Sequence, residues 1–421
     1  MRVLWFTGTI NKKRKSASYG GGGWISSLTK ELNNNCNITL SHAFFCNIQE
    51  LPYKEDNIFR YPMYIQEKSR IAKIIYYWKK GYKNNCPEQE IQLMLDVINE
   101  FKPDIIQIFG LESRFCPIID YTNIPTVIYL QGILNPIFNA FFPVGMNPFS
   151  FLFSRFSKRE WIYQNAIIYA HKAMRFRALY EREILRKASY LIGRTQFDYK
   201  ISRFFAPQAK YFSLNEMLKD VFYVANKWEK KDNNKYIIYT TISNVTYKGL
   251  DLILKTAKLL KEYSTKDFEW RVAGMNKDSE LVKFFEKILS IHSRDVHVKY
   301  NGVVAPNELV QHLLESDVFV HPSYIDNSPN SVCEAQLIGI PVIACNVGGV
   351  SDFIVPGKTG ELIPANAPFE LAAILKQDMD IPYLKLYAQK AVDVAAKRHD
   401  KKDIIDKLMN IYRYIHKENS Y

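Results

Sequence analysis

From Tyr236 onward, short apolar runs alternate with amphipathic stretches, and few folds accept that order. The pattern predicts a strand at Tyr236–Ile242, a helix at Gly249–Tyr263, a strand at Phe268–Gly274 and a helix at Ser279–Ile291. A strand at Val296–Tyr300, a helix at Asn307–Glu315 and a strand at Val318–His321 follow. Strands that are apolar along their length must be covered on both faces, as in a parallel sheet with helices on either side. The fold class is therefore α/β, with a doubly wound, Rossmann-like sheet.

The first half has the same grammar. Met1–Phe6 reads as a strand and leads through Gly20–Gly23 into a helix from Trp24 to Leu32. Strands are expected at Ile38–Phe45, Ile105–Phe109, Thr126–Leu130 and Tyr190–Gly193, with a helix at Glu88–Phe101. Four consecutive glycines do not supply the G-x-G-x-x-G spacing of a dinucleotide site. They fit either a tight turn or a close backbone approach to a ligand at a cleft.

With 421 residues the chain is long enough for two cores. The polar run N-K-W-E-K-K-D-N-N-K at residues 226–235 is the candidate linker. The expected domains are residues 1–223, a Rossmann-like unit; residues 224–380, a second such unit; and residues 381–421, helices packing back on the first.

A formal net charge of +13 admits nucleic acid, anionic membranes or phosphorylated substrates as partners, or simply a solvated basic surface. The basic residues are scattered and match no nucleic-acid module, so no nucleic acid is expected. Six cysteines without C-x-x-C or Cys/His metal spacing read as reduced thiols, and a cytoplasmic setting is expected. No apolar run approaches the roughly 18 residues of a membrane span. Residues 133–178 concentrate aromatic and basic side chains among prolines and asparagines. They read either as a peripheral membrane-contact patch or as a buried hydrophobic insertion.

Chemistry concentrates from Asp326 to Pro341, D-N-S-P-N-S-V-C-E-A-Q-L-I-G-I-P. Asp326 sits in a polar loop, and Glu334 lies eight positions on in a helix. A buried strand and the turn Gly348-Gly349-Val350 follow. Ionised carboxylates only accept hydrogen bonds, so the pair suits sugar and ribose diols; the bland alternative is a turn residue and an early-helix acid. Upstream, Thr246-Tyr247-Lys248-Gly249-Leu250-Asp251 follows a strand and opens a helix, where a lysine and free amides can meet phosphate.

Together these motifs resemble the retaining, nucleotide-sugar-dependent glycosyltransferases of family 4, the group 1 glycosyltransferases of GT-B fold. The resemblance is carried by Tyr247–Asp251, Val320-His321-Pro322-Ser323, Asp326, Glu334-Ala335, Gly339–Ala344, Gly348–Val350 and Val355–Gly360. It implies two Rossmann-like doubly wound domains facing a central cleft, and a hexosyl-type transferase. Lys248 would hold the donor diphosphate, Glu334 the ribose hydroxyls, and Asp326 the donor sugar. Backbone amides of Asn327–Ser331, including Ser328 and Asn330, would meet sugar or phosphate. Gly22 and Gly23 would lie against the diphosphate from the other domain, and Arg194–Asp198 with Asn215-Glu216 would line the cleft.

Three departures stand out. Asp326 replaces the family's usual Glu and is one methylene shorter. The usual arginine before the lysine is absent, with Ile242 and Ser243 in its place, so Arg194 or helix N-termini would meet the diphosphate charge. Gln131-Gly132 replaces His-Gly or His-Asp; a glutamine would hydrogen-bond the donor sugar and cannot act as a base.

The implied donor is a nucleotide-diphosphate sugar and the acceptor a saccharide or lipid-linked saccharide, in surface polysaccharide synthesis. No cofactor is implied, and metal independence is expected because no Asp-x-Asp motif suits a divalent ion. The alternatives are a nucleotide-sugar-binding relative with little transferase activity, or another GT-B enzyme such as an epimerase or phosphorylase.

Overall fold

The computed structural model describes residues 1–8, 23–35, 38–66, 87–147, 149–150, 167–231 and 234–419. Gly22 and the other glycine-loop residues before Gly23, along with most of 148–166, lie outside them.

The first lobe runs β1 (Arg2–Phe6), α1 (Gly23–Asn35), β2 (Thr39–Cys46), β3 (Tyr53–Glu55), β4 (Ile58–Tyr64), α2 (Glu88–Phe101), β5 (Ile105–Phe109) and β6 (Thr126–Tyr129). It continues with α3 (Leu134–Asn139), α4 (Ile167–Lys187), β7 (Tyr190–Gly193), α5 (Gln196–Phe205), β8 (Lys210–Ser213) and α6 (Asp220–Val224). Its sheet has the order β3-β4-β2-β1-β5-β6-β7-β8, parallel except for the β3–β4 hairpin.

The second lobe runs β9 (Tyr236–Thr241), α7 (Leu250–Tyr263), β10 (Phe268–Ala273), α8 (Glu280–Leu289), β11 (Val298–Gly302), α9 (Pro306–Glu315) and β12 (Val318–His321). Then come α10 (Asn330–Ile338), β13 (Val342–Cys345), β14 (Glu361–Ile363), α11 (Pro368–Asp380), α12 (Ala388–Arg398) and α13 (Lys401–Glu418). Its six strands are all parallel, in the order β11-β10-β9-β12-β13-β14. The expected pair of Rossmann-like sheets is borne out. Four strands escaped the sequence reading: the short hairpin β3–β4, the polar edge β8 and the short edge strand β14.

Both sheets reverse direction of winding once. The first does so between β1 and β5, the second between β9 and β12. Loops leaving the carboxyl ends of strands diverge at such a point and leave a crevice.

The core is divided in a way that composition could not show. Ile404, Ile405, Leu408, Met409, Ile411, Tyr412 and Ile415 on α13 are buried with Val3, Trp5 and Trp24 of the first lobe. Trp5 Nε1 donates to the Tyr412 hydroxyl at 2.9 Å, and that hydroxyl donates to Gln107 Oε1 at 2.6 Å. Full burial of one such large side chain stabilises by about 1.5–3 kcal/mol, so the last helix is a structural part of the first lobe.

The polar run is pinned at Trp228. Trp228 is buried with Leu218 and Phe222 against the second lobe, and its Nε1 donates to the Ser316 carbonyl at 2.7 Å. The insertion after residue 133 divides similarly. Ile133, Leu134 and Phe141 are buried, Phe142 and Met146 pack against the second-lobe core, and Val144 and Phe149 are exposed. Thr246 Oγ1 donates to the Phe141 carbonyl, tying this segment to the loop that carries Lys248.

Candidate active site

The second-lobe crevice is built by two loops that are distant in sequence and adjacent in the sheet. β9 ends in a turn, Thr246–Lys248, and β12 ends in the loop that carries Asp326. Because β9 and β12 are neighbours, Lys248 Nζ reaches Asp326 Oδ2 at 2.5 Å. His321, the last residue of β12, places Nε2 3.2 Å from the same oxygen. Burial pushes the Asp326 carboxyl upward, but Lys248 and His321 outweigh it and hold it well below the usual carboxylate range. His321 is itself pulled down by burial, against the attraction of Asp326.

Neighbouring backbone fixes both loops. Tyr324 N donates to the Tyr247 carbonyl at 2.9 Å, and the Tyr324 hydroxyl donates to Asp251 Oδ2 at 2.8 Å. Asp251 of the lysine motif is thus a buried anchor. Gly349 N donates to the Asp326 carbonyl at 3.0 Å. Gly348 has φ +55°, and a Cβ there would lie 1.9 Å from that carbonyl oxygen, so only glycine fits.

Glu334 lies on α10, 3% exposed, with Oε2 buried and unpartnered among the described residues. Burial alone holds its carboxyl well above the usual range. No side chain caps the start of α10 at Asn330 and Ser331, so its first amides are available to an anion. Asn327 Oδ1 and Gln131 Nε2 are also buried and unpartnered, while Asn327 Nδ2 donates to the Gln131 carbonyl at 3.3 Å across the lobes. A buried polar atom without a partner costs about 1–3 kcal/mol, so a surface that gathers several is shaped for something that supplies the missing partners.

Arg194 sits deeper than expected. Its guanidinium is ion-paired with Glu216 and donates to the Leu130 carbonyl at 2.9 Å and the Gln131 carbonyl at 3.3 Å. Glu216 Oε2 also accepts from Ser328 Oγ at 3.1 Å, and its carbonyl meets His399 Nδ1 at 2.8 Å. Arg194 is therefore committed to a clamp between the lobes. Ser243 is exposed on the turn after β9. Gly23 opens α1 beneath the Lys219 side chain, which a Cβ would strike at 2.0 Å.

Sequence reasoning brought Lys248, Asp326, Asn327, Ser328 and Glu334 to one edge. It gave no role to His321 or His399, and placed Glu216 only in the lining of the cleft. The His321 signal was present in Val-His-Pro-Ser, where a histidine ending a strand precedes the loop acid by five positions.

Comparisons with known proteins agree with this architecture. Residues 224–391 match the family model described as glycosyl transferases group 1. That segment is a group 1 glycosyltransferase domain, and the resemblance read from the motifs is borne out. A D-inositol 3-phosphate glycosyltransferase of Paenarthrobacter aurescens (strain TC1) is 34% identical over 137 residues, 32% of this chain and 33% of that protein. The chain thus spans about a third of the length of this curated relative. Sucrose-phosphate synthase from Thermosynechococcus elongatus superposes over 100% of both chains with a TM-score of 0.73 at 11% identity. HepE of Anabaena, solved in complex with UDP, covers 98% of this chain and 100% of its own with a TM-score of 0.64 at 14% identity. These two likenesses establish the GT-B fold.

Proposed function

We propose that the chain transfers a sugar, with retention, from a nucleotide-diphosphate sugar to a hydroxyl of a saccharide or lipid-linked saccharide, in the assembly of a capsule, O-antigen or exopolysaccharide. The observation that carries this reading is Glu334, a buried carboxylate with an unpartnered oxygen at the same sheet edge as Lys248. A vicinal diol such as a ribose offers two donors to such a group.

In this reading Lys248 and the first amides of α10 meet the diphosphate, and Glu334 takes the ribose. Asp326, Gln131 Nε2 and Asn327 face the donor sugar, with Ser328, Asn330 and Ser331 around it. Gly23 approaches from the first lobe, and Ser243 lies at the rim. Residues 1–223 form the acceptor side, residues 224–380 the donor side, and residues 381–421 the closing helices. The acceptor oxygen bonds to the anomeric carbon as the bond from that carbon to the diphosphate oxygen breaks. The departing phosphate oxygen takes the acceptor's proton. Lys248 and backbone dipoles stabilise the charge that develops there, so no metal ion is invoked.

HepE binds UDP on the same fold, which supports a uridine nucleotide as the first donor to try. A net charge of +13 and the exposed Val144 and Phe149 support peripheral contact with the inner face of a membrane through residues 133–178. No helix among the described residues is long and apolar enough to cross a membrane.

The test is hydrolysis and transfer from a panel of UDP- and GDP-sugars. Glu334→Ala is expected to lose about 10²-fold or more in kcat/KM. Equal activity of variant and wild type removes Glu334 from the site.

A further inference from the structure

His321 has no task in the reading above. It ends β12, where it pairs with Ala344 of β13, and its side chain is 2% exposed. Nε2 lies 3.2 Å from Asp326 Oδ2, the same oxygen that Lys248 Nζ holds at 2.5 Å. Neither ring nitrogen has an aligned hydrogen-bond partner among the described residues. One carboxylate oxygen thus faces two groups that can be cations, and Lys248 is the one that engages it.

The two groups differ in freedom. Lys248 carries its ammonium on a flexible stem and is partly exposed, so it can swing to a diphosphate. His321 is fixed at the strand end and stays beside Asp326. Once the ammonium leaves, the carboxylate keeps little access to water, and an unpaired charge there is costly. One proton bound by the His321–Asp326 pair removes that cost. It resides on the imidazole, because the ordinary value is 6.5 for the histidine against 3.8 for the aspartate.

The surroundings permit this exchange. β12 packs against β9, β13 and α10. These bring Tyr236 and Tyr239 of β9, Lys248 on the turn that follows, Cys345 of β13, and Cys333 and Glu334 of α10. Tyr236 is hydrogen-bonded to Asp378 and Tyr239 to His312, and both cysteines are buried thiols. Of the six, Lys248 alone acts on the His321 ring, together with Asp326 from its own loop. Burial lowers the proton affinity of the imidazole, Asp326 raises it, and Lys248 lowers it. Drawing the ammonium onto a diphosphate weakens that last effect and brings negative charge to the crevice.

We infer that His321 is a positioning residue that replaces Lys248 as the partner of Asp326 when a nucleotide-diphosphate sugar binds, taking a proton from solvent as it does so. This rests on the transferase reading above. The imidazolium then keeps the carboxylate directed at the donor sugar while the ammonium serves the diphosphate. On release of the nucleotide the proton returns to solvent and Lys248 returns to Asp326.

The experiment counts protons. Binding of UDP-glucose and of GDP-mannose is measured by calorimetry at pH 7 in buffers of different ionisation enthalpy, for wild type, His321→Gln and Asp326→Asn, with melting temperatures to confirm folding. A diphosphate diester does not ionise near neutrality, so the protons counted are the protein's. Any proton that Glu334 releases on taking the ribose is common to all three proteins, so the readout is the difference between them. Wild type is expected to take up about half a proton or more beyond His321→Gln, and its affinity to fall more steeply than the variant's as pH rises from 6 to 8. Asp326→Asn is expected to match His321→Gln, and it carries the comparison if His321→Gln does not fold. Donor hydrolysis by His321→Gln at pH 8 is expected to lose about threefold to tenfold in kcat with little change in donor KM. A merely structural histidine would leave the proton count unchanged. Binding with equal proton counts in wild type and His321→Gln overturns the inference and leaves the transferase reading standing. A wild type that binds no UDP- or GDP-sugar overturns that reading itself.

Discussion

Lys248 and Asp326 hold each other across the switch point of the second sheet, with Nζ and Oδ2 2.5 Å apart although 78 residues separate them in sequence. The pair keeps the ammonium aimed at the crevice in the absence of ligand. A diphosphate must therefore compete with Asp326 for Lys248. Both side chains are only partly buried, so the exchange does not require unfolding of either loop.

The first prediction follows from that competition. Lys248→Ala is expected to lower donor turnover by about 10²–10³-fold. Asp326→Asn keeps the shape but releases the ammonium, so UDP is expected to bind equally or more tightly while transfer falls. Calorimetry with UDP and a transfer assay on the same variant check both. Weaker UDP binding by Asp326→Asn would show that the carboxylate does not compete.

Glu334 makes a prediction of opposite sign for stability. Its folded-state carboxyl is held above the ordinary value by burial, so its favourable contribution is fully present below the ordinary pKa, near 4.5, and lost as pH rises through the raised value. Glu334→Gln removes that penalty. The variant is expected to be more stable than wild type at pH 8 by about 1 kcal/mol or more, to lose this advantage at pH 4, and to bind nucleotide sugars poorly. Thermal melts at the two pH values, with and without UDP-glucose, measure it. A destabilised Glu334→Gln at pH 8 would mean that the carboxylate has a partner in the free protein.

His399 titrates the other way. Burial, reinforced by Arg398 and Arg194 and opposed by Glu216, pulls its imidazole down to about 4. A group with a lowered folded pKa contributes stability above its ordinary value of 6.5 and loses it as pH falls from 6.5 toward 4. Its Nε2 is buried without a partner among the described residues, so protonation would leave a charge unsolvated. Between pH 7 and pH 5 wild type is expected to lose about 1 kcal/mol more than His399→Gln, whose amide can still donate to the Glu216 carbonyl. Urea midpoints at the two pH values check this; parallel curves would remove His399 from the acid response.

How much of this was legible depended on where a signal resides. β9, β12 and β13 are buried on both faces, so they read as apolar runs within a residue or two of their ends. β4 mixes buried and exposed residues without a clean alternation and carries Pro62, and β8 is polar at the sheet edge, so neither stood out. The Asp56-Asn57 turn between β3 and β4 takes positive φ at both residues, a hairpin signal present in the chain and not used. Site residues were legible one loop at a time. Their pairing was not, because the Lys248–Asp326 contact follows from β9 lying beside β12, and the Arg194–Glu216–Ser328 contact from how the lobes close.

That last contact gives the remaining prediction. Glu216 joins Arg194 of the first lobe to Ser328 of the donor loop, with both side chains of the ion pair almost fully buried. Removing one partner of a buried pair leaves the other charge unsolvated and costs about 3–5 kcal/mol. Glu216→Ala is therefore expected to destabilise severely. Ser328→Ala loses one hydrogen bond of about 1–2 kcal/mol and leaves the ion pair intact. Its fold is expected to survive while the donor loop loosens, raising the donor KM about threefold to tenfold with little change in kcat. Proteolysis should then cut the loop between β12 and α10 faster, and saturating UDP should slow that cleavage. Unchanged donor KM and cleavage in Ser328→Ala would mean that the lobes close on the donor without this clamp.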